Sequence, residues 1–404
     1  MVEQCWVPVP EGSDFTLANL PYGMIESASV DRSVAIRIGD HAIDLARLQA
    51  TNALAGLPLP KHLFAAPSLN EFMAEGPEVW SATRSLVREL LTASDARPLV
   101  EPALLALDEV QVVMPVEVGD FVDFYSSIHH ATNLGRLFRP GGDPLLANWR
   151  HLPVAYHGRA GTCVPSGTPV HRPCGLIPGD DGGPPTLQAT RELDIELEVG
   201  FFVGVGGTHL TPDAAAAHVF GAVLVNDWSA RDIQAYEYQP LGPFLGKSFA
   251  TTISPWVVPF DALAPYFIDA PVQQPPPASY LRASRCWALD LDLAVELNGQ
   301  RISATNFCHQ YWTFAQQLAH MTVNGATTRP GDLFASGAVS GPTPDQYGSL
   351  IELTQRGERP IRLDDGTSRA FLGDGDTVTL RGWCGEGSTR VGFGDCSGTI
   401  EPAK

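Results

Sequence analysis

The segment Arg191-Glu-Leu-Asp-Ile-Glu-Leu-Glu-Val199 alternates acidic and apolar residues. In a strand, alternate side chains share a face. Glu192, Asp194, Glu196 and Glu198 would then point one way, and Leu193, Ile195, Leu197 and Val199 the other. The ordinary reading is a half-buried strand with a wet acidic face. Carboxylates side by side nevertheless repel one another unless a cation or a basic group sits among them. Asp123 stands in Asp-Phe-Tyr-Ser-Ser, and Asp227 stands in Val-Asn-Asp-Trp-Ser-Ala-Arg-Asp at the end of an apolar strand. Strand ends are where loops gather and sites form. Asp123, Glu196, Glu198 and Asp227, with no sulfur ligand beside them, would suit a hard divalent cation such as Mg²⁺, Ca²⁺ or Mn²⁺. Sequence alone does not make them converge, and a lone Asp near a turn is more often a cap than a ligand.

Candidate donors follow these carboxylates along the chain. Arg231 and Gln234 are three residues apart and would share one side of a helical turn. Lys247 follows Pro-Phe-Leu-Gly, an apolar context in which a lysine costs energy unless it is paired. His129 and His130 are adjacent. In a strand or extended loop they would face opposite ways, which argues against a metal held by both.

Such groups need a frame, and composition limits what it can be. A chain of 404 residues favours two units, or one large β-rich unit with a smaller partner. Hydrophobic residues at 44% and charged residues at 18% describe ordinary globular chemistry rather than disorder or a coiled coil. The 39 glycines and 34 prolines favour many turns and short strands. A formal charge of −19 repels phosphate backbones, so nucleic acid is not an expected partner. The seven cysteines (Cys5, Cys163, Cys174, Cys286, Cys308, Cys384 and Cys396) are odd in number and form no Cys-x-x-Cys pair. Neither a disulfide framework nor a zinc site is expected. Met1 to Gly12 lacks an apolar h-region, and no stretch approaches 18 uninterrupted apolar residues. The expectation is a soluble protein with no signal peptide and no membrane span, in a reducing compartment such as the cytoplasm.

Periodicity divides the chain near residue 115. In the first unit, 1–115, Ser29–Asp40 is strand-like through Val30, Val34, Ile36 and Ile38. Ala42–Gln49 and Leu69–Thr92 are predicted helical, the latter broken at Gly76-Pro77. Asp108–Pro115 is a predicted strand at the boundary. The second unit, 116–404, is β-rich, with strands predicted at Leu193–Val205, Val219–Asn226, Ala288–Leu297 and Asp376–Arg381. The third ends in Asn298-Gly299, a strong hairpin signal. One helix is predicted over Asn306–Met321, and Pro178–Pro185 is a predicted loop. The inferred class is mostly β with peripheral helices.

Eight segments together resemble the fumarylacetoacetate hydrolase family. They are Asp123-Phe-Tyr-Ser-Ser-Ile-His-His-Ala-Thr-Asn133, Leu152-Pro-Val-Ala-Tyr-His-Gly-Arg159, Leu193-Asp-Ile-Glu-Leu-Glu198 and Asn226-Asp-Trp-Ser-Ala-Arg-Asp-Ile-Gln234. The others are Glu237-Tyr-Gln-Pro-Leu-Gly-Pro-Phe-Leu-Gly-Lys-Ser248, Ser340-Gly-Pro342, Asn19-Leu-Pro-Tyr-Gly23 and Val391-Gly-Phe-Gly394. The resemblance implies a small N-terminal SH3-like barrel domain and a large C-terminal β-roll domain, assembled as a homodimer. It implies Ca²⁺ or Mg²⁺ held by Asp123, Glu196, Glu198 and Asp227, with Lys247 and Thr251 at a magnesium-associated position. It implies His130 as base, Glu352 in Leu350-Ile-Glu-Leu353 as its orienting carboxylate, and Arg231, Gln234 and Lys247 as oxyanion donors. Tyr125, Arg139, Tyr156, Gln234 and Tyr238, with the position of Ala338, match substrate contacts.

The reaction this implies is hydrolysis of a carbon–carbon bond in a β-diketo acid. The implied case is 4-fumarylacetoacetate, giving fumarate and acetoacetate in tyrosine and phenylalanine catabolism. A 1,3-diketone eases such a cleavage, because the departing carbanion is delocalised as an enolate. The protein must activate water, stabilise an oxyanion and hold the enolate. Three departures from the family bear on the substrate. Ala338 replaces a threonine, Ile128-His129 replaces a polar or charged pair, and Ala250 replaces a glycine. Losing one hydrogen bond to a charged group costs roughly 1.5–3 kcal/mol, enough to shift preference toward a less polar diketo acid. The alternatives are a relative that hydrolyses, decarboxylates or isomerises another diketo or acylpyruvate compound, and a non-catalytic metal-binding relative.

Overall fold

The computed structural model describes residues 5–28, 30–179 and 183–404. Met1–Gln4 of the N-terminal reading, Ser29 of the first predicted strand and residues 180–182 of the predicted loop lie outside the described residues. The mostly-β expectation holds. In the N-terminal unit five antiparallel strands lie in the order Leu104–Ala106, His41–Asp44, Val30–Ile38, Tyr22–Ser27 and Gln111–Val113. Val34, Ile36 and Ile38 alternate along the second chain strand and are fully buried. The predicted helical stretch is two helices, Asn70–Ala74 and Pro77–Thr92. Gly76 at φ +91° and Pro77 at the first helical position separate them.

Two predicted elements are corrected here. Ala42–Gln49 is not one helix. Ala42 and Ile43 pair with Arg37 and Ile36 in a strand, and the helix Leu45–Ala50 begins only where the Asp44 side chain caps the amides of Ala46 and Arg47. The Asp108–Pro115 strand shortens to Gln111–Val113.

The second unit is built on a curled sheet in the order Ala155–Gly158, Phe121–Phe124, Leu333–Ala335, Leu197–Val203, Val219–Asp227, Thr251–Ile253 and Cys163–Pro165. Its end strands are consecutive in the chain and joined only by Arg159–Thr162. Four residues span about 14 Å at most, so the sheet must curl until its edges approach. Every residue of Leu197–Val203 and Val219–Asp227 is buried, so both faces are covered. On one face Leu197, Val199, Phe201 and Val203 pack with Leu293, Val295, Val378 and Leu380 of a second, six-stranded sheet. On the other face Phe121, Phe202, Val223 and Val225 share a core with Tyr22, Phe72 and Trp80 of the N-terminal unit. The two units therefore close over a common apolar surface. Among the described residues, no helix is long and apolar enough to cross a membrane.

The Asn298-Gly299 turn is as predicted. It joins Asp292–Leu297 to Gln300–Asn306 with φ +53° and +82° at its two loop residues. The predicted strand Ala288–Leu297 splits into Ala288–Leu289 and Asp292–Leu297, and the last runs longer than expected, over Thr377–Cys384. The Asn306–Met321 helix is shorter than expected. Asn306 caps a 3₁₀ turn, and the α-helix starts at Phe314 because Thr313 and Gln316 form a capping box. Leu193–Val205 is not continuous either: Leu193–Asp194 and Leu197–Val203 are separate strands in different sheets.

The strand Val219–Asp227 is the rail that carries Asp227. A Cβ at Gly221 would lie 2.3 Å from the Val258 carbonyl oxygen on the neighbouring strand. Gly221→Ala is expected to lower stability by about 1–3 kcal/mol. Chemical denaturation checks this, and an unchanged midpoint at unchanged m would refute it.

Candidate metal centre and active site

Alternation along three strands builds the centre. Asp227 shares its face with Val225 and Val223, Glu198 with Gly200 and Phe202, and Asp123 with Phe121. One end of this face is apolar and the other carries carboxylates. Glu196, two residues before Glu198, joins them just ahead of the strand Leu197–Val203. Its amide is held by the side-chain oxygen of Asn226 at 3.2 Å instead of by a strand neighbour. One oxygen from each of Asp123, Glu196, Glu198 and Asp227 lies within 4.8 Å of the others, and all four residues are buried. The four residues that the family resemblance groups together thus converge, which their sequence pattern alone leaves open.

The expected acidic face holds only for Glu196 and Glu198. Glu192 points outward toward Arg356 at 4.0 Å. Asp194 turns instead to Arg231 Nε at 2.8 Å and to the amides of Leu350 and Ile351. The break between residues 194 and 196 ends the alternation there.

The four carboxylates suit a cation. Asp123 Oδ1 and Glu198 Oε1 are buried and accept no hydrogen bond. Burial and the neighbouring carboxylates push the Asp123 and Glu198 carboxyls well above their ordinary range. For Glu196, burial acts in the same direction, but Lys247, Arg231 and His130 outweigh it and hold its carboxyl low. Two of the four therefore favour protons unless a positive charge is added. An all-oxygen set of this kind fits Mg²⁺, Ca²⁺ or Mn²⁺. Lys247 Nζ lies 2.5 Å from Glu196 and 2.6 Å from Asp227, and these carboxylates raise its ammonium pKa against the opposing effect of burial. Thr251 Oγ1 is 3.5 Å from Asp227, and the Tyr156 hydroxyl donates to Asp227 at 2.8 Å.

His130 lies beside this cluster, but on a helix rather than in an extended segment. Ser127 caps Ile128–Phe138 by accepting from the His130 amide. Neighbours on a helix still diverge, by about 100°. His130 is buried with Nδ1 2.6 Å from Glu352, while His129 is half-exposed beside His309. Burial and His309 lower the His129 pKa. An ionised carboxylate only accepts, so Nδ1 donates to Glu352 and Nε2 faces Glu196 Oε1 at 3.7 Å. Glu352 lies on the helical turn Leu350–Leu353, not on the exposed strand its neighbours imply. It also accepts from Asn133, Ser340 and Ser349 at 2.7–2.8 Å. Burial raises its carboxyl pKa, but His130 and these donors prevail and hold it low.

Arg231 and Gln234 share a turn of the helix Arg231–Glu237, as expected. Arg231 Nη2 is 2.8 Å from Glu196, and Nη1 donates to Gln234 Oε1 at 3.2 Å. Because a guanidinium only donates, Gln234 must turn its oxygen to Arg231, which leaves its NH₂ as the outward donor. The Tyr125 ring meets the His130 ring edge-on at 5.3 Å. Ala338 is buried next to Gly337, whose amide donates to Glu198 at 3.2 Å. Two expected substrate contacts are not gathered in. Arg139 is exposed and donates to the Pro144 carbonyl at 2.6 Å, and Tyr238 is 45% exposed and accepts from Gln239. Asn133 and Ser349 were not foreseen. Asn133 lies three residues after His130, so recognising that helix would have found it.

Comparison with known proteins identifies the family. Residues 18–115 match the family described as fumarylacetoacetase N-terminal, and residues 121–401 match fumarylacetoacetate (FAA) hydrolase C-terminal. The chain belongs to the fumarylacetoacetate hydrolase family. It is 46% identical to the human fumarylacetoacetase over 98% of this chain and 99% of that protein. The Caenorhabditis elegans fumarylacetoacetase is 45% identical over the same shares. Among solved structures, a fumarylacetoacetate hydrolase from Exiguobacterium antarcticum superposes with a TM-score of 0.56 at 18% identity, covering 95% of this chain and 99% of that one, and so shares the fold. The chain is an enzyme of that family, a hydrolase.

The raised Asp123 and Glu198 pKa values set the sign of a metal test. Protons compete with the cation at both groups, so metal binding releases protons and affinity rises with pH. Titration calorimetry with Mn²⁺ in buffers of different ionisation enthalpy should show this release. Glu198→Gln should weaken binding by at least about tenfold, and a pH-independent affinity would count against the site.

Proposed function

We propose that this enzyme hydrolyses a carbon–carbon bond of 4-fumarylacetoacetate, giving fumarate and acetoacetate, and acts in tyrosine and phenylalanine catabolism. The observation that carries this reading is the buried His130–Glu352 pair facing a cluster of four carboxylates. Relatives named fumarylacetoacetase, 41–46% identical over 98% of the chain, support the choice of substrate.

Asp123, Glu196, Glu198 and Asp227 would hold Ca²⁺ or Mg²⁺, with Mn²⁺ as a substitute; Lys247 and Thr251 flank that position. The bound cation would supply Lewis acidity to the diketone oxygens and to the enolate. His130 Nε2 takes a proton from water, and the hydroxide adds to the carbonyl carbon that becomes a fumarate carboxylate. Glu352 fixes the imidazole through Nδ1. Arg231, the Gln234 NH₂ and the third N–H of Lys247 supply positive potential and donors for the oxyanion. Collapse breaks the carbon–carbon bond, and the proton held by His130 passes to the leaving enolate carbon. Tyr125, Tyr156, Arg139 and Tyr238 are assigned to the substrate, the last two by movement of their exposed side chains on binding.

The reading includes an N-terminal domain over residues 1–115, a catalytic domain over 116–404 and a homodimer. Leu241, Phe244 and Leu245 form an exposed apolar stretch suited to such pairing. Free cysteines support a cytoplasmic location. One observation favours a second reading. Ala338 is buried where the family has a threonine, so a substrate carboxylate loses a hydroxyl there. A related diketo or acylpyruvate acid would tolerate this better.

Loss of diketone absorbance with fumarylacetoacetate, with and without chelator, separates the two. Turnover that a chelator abolishes is expected, and no turnover with metal present would leave only the second reading. His130→Ala should lower kcat by about 10²–10⁴-fold while Mn²⁺ still binds. Full activity in that variant removes His130 as the base.

A further inference from the structure

Asp194 is the acidic residue of the alternating segment that the metal cluster does not use. Its carboxylate is fully buried and accepts from four N–H groups. Oδ1 takes the amides of Ile195 and Leu350, each at 2.7 Å. Oδ2 takes the amide of Ile351 at 3.1 Å and Arg231 Nε at 2.8 Å. Leu350 and Ile351 open the helical turn that carries Glu352. Amides at a helix start have no partner within the helix. The local N-cap, Ser349, does not serve them, because its hydroxyl donates to Glu352. One carboxylate thus caps the turn that bears the partner of His130 and anchors the guanidinium that reaches Glu196 and Gln234.

We propose that Asp194 is a positioning residue that holds Arg231 and the Glu352–His130 pair in one rigid frame. This inference rests on the catalytic roles proposed above. Asp194 itself touches neither His130 nor the metal-centre carboxylates through any of these four bonds. Its action is geometric. A carboxylate with four donors has little freedom, so the turn and the guanidinium cannot shift independently. Misplacement of a catalytic group by about 1 Å costs on the order of 10²-fold in rate. An asparagine at 194 would keep one accepting oxygen, but its NH₂ would face N–H groups of Ile351 and Arg231. Donor against donor forces both elements apart.

The test uses the full chain with D194N, E352Q and the double variant D194N/E352Q. Near-ultraviolet circular dichroism reports folding, and Mn²⁺ calorimetry reports the metal centre. D194N is expected to bind Mn²⁺ within about fivefold of the unsubstituted protein, lose about 100-fold in kcat and keep KM within about threefold. The double variant should lose clearly less than the product of the two single losses, because Asp194 and Glu352 act partly as one unit and such losses are not additive. A kcat for D194N within about threefold of the unsubstituted protein, or losses that multiply in the double variant, overturns the inference. Proton NMR adds a readout independent of substrate. The low-field resonance of the His130 Nδ1 proton, which E352Q should remove, should shift or vanish in D194N, and an unchanged resonance overturns the inference. If D194N is recovered unfolded, D194E carries the same measurements, keeping the charge but moving both oxygens by one methylene. Absence of turnover by the unsubstituted protein refutes the substrate reading alone, and the resonance still decides the role of Asp194.

Discussion

Repulsion among buried carboxylates is the constraint on which the rest of this structure depends. Asp123, Asp194, Glu196, Glu198, Asp227 and Glu352 are all buried at one end of the curled sheet, and Arg231 and Lys247 are the two cationic residues buried with them. Each ion taken from water costs several kcal/mol even after relaxation, and only good geometry with further hydrogen bonds offsets this. The compensation is uneven. Asp194 and Glu352 are saturated by donors, and Glu196 is pinned between Lys247 and Arg231. Asp123 and Glu198 each keep a buried oxygen with no partner. The deficit of positive charge is thus concentrated where four ligand oxygens meet. A divalent cation would supply positive charge at that point, in competition with protons on Asp123 and Glu198.

The sheet makes this arrangement possible by fixing register. A one-residue slip of Leu197–Val203 or Val219–Asp227 would turn carboxylates into the apolar layers and valines toward the carboxylate cluster. Both faces are packed, one by the second sheet and one by Tyr22, Phe72 and Trp80, so such a slip is strongly opposed. The N-terminal unit therefore supports the site although none of its described residues belongs to the carboxylate cluster. It fills the apolar end of the same face whose other end carries Asp123, Glu198 and Asp227.

Much of this was legible in the sequence, and the failures have physical causes. Alternation correctly put Glu196 and Glu198 together, and the apolar run ending at Asp227 correctly put that group at a strand end. Alternation then misled at Asp194, because a ladder can stop within a segment whose composition stays periodic. The signal of the stop was Asn226, a side chain able to replace a backbone acceptor, and nothing local announces that role. Considering His129 and His130 only as part of a strand or extended loop misses the helix Ile128–Phe138. Ser127 was the available sign, as a cap that accepts from the His130 amide. Glu352 could not be separated from an ordinary glutamate, since its four partners come from residues 130, 133, 340 and 349. Arg139 and Tyr238 were reached only through family resemblance, and their exposed positions reflect side chains that no buried partner holds.

The charge pattern also bears on how His130, in the role of base proposed for it, would work inside an acidic cluster. Glu352 lies against His130, yet four hydrogen bonds hold it as an acceptor, so it orients the imidazole without taking the proton. On its other edge the ring faces Glu196, whose own charge is balanced by Lys247 and Arg231. An imidazolium formed by taking a proton from water would lie between two carboxylates, Glu352 and Glu196. On the proposed mechanism the burial of His130 would keep that proton near the reacting carbons. Carbon–carbon hydrolysis needs that retention, since the leaving enolate carbon must be protonated before the products separate. Burial, often read as a cost to a titrating side chain, would in the proposed mechanism keep the proton available for the second half of the reaction.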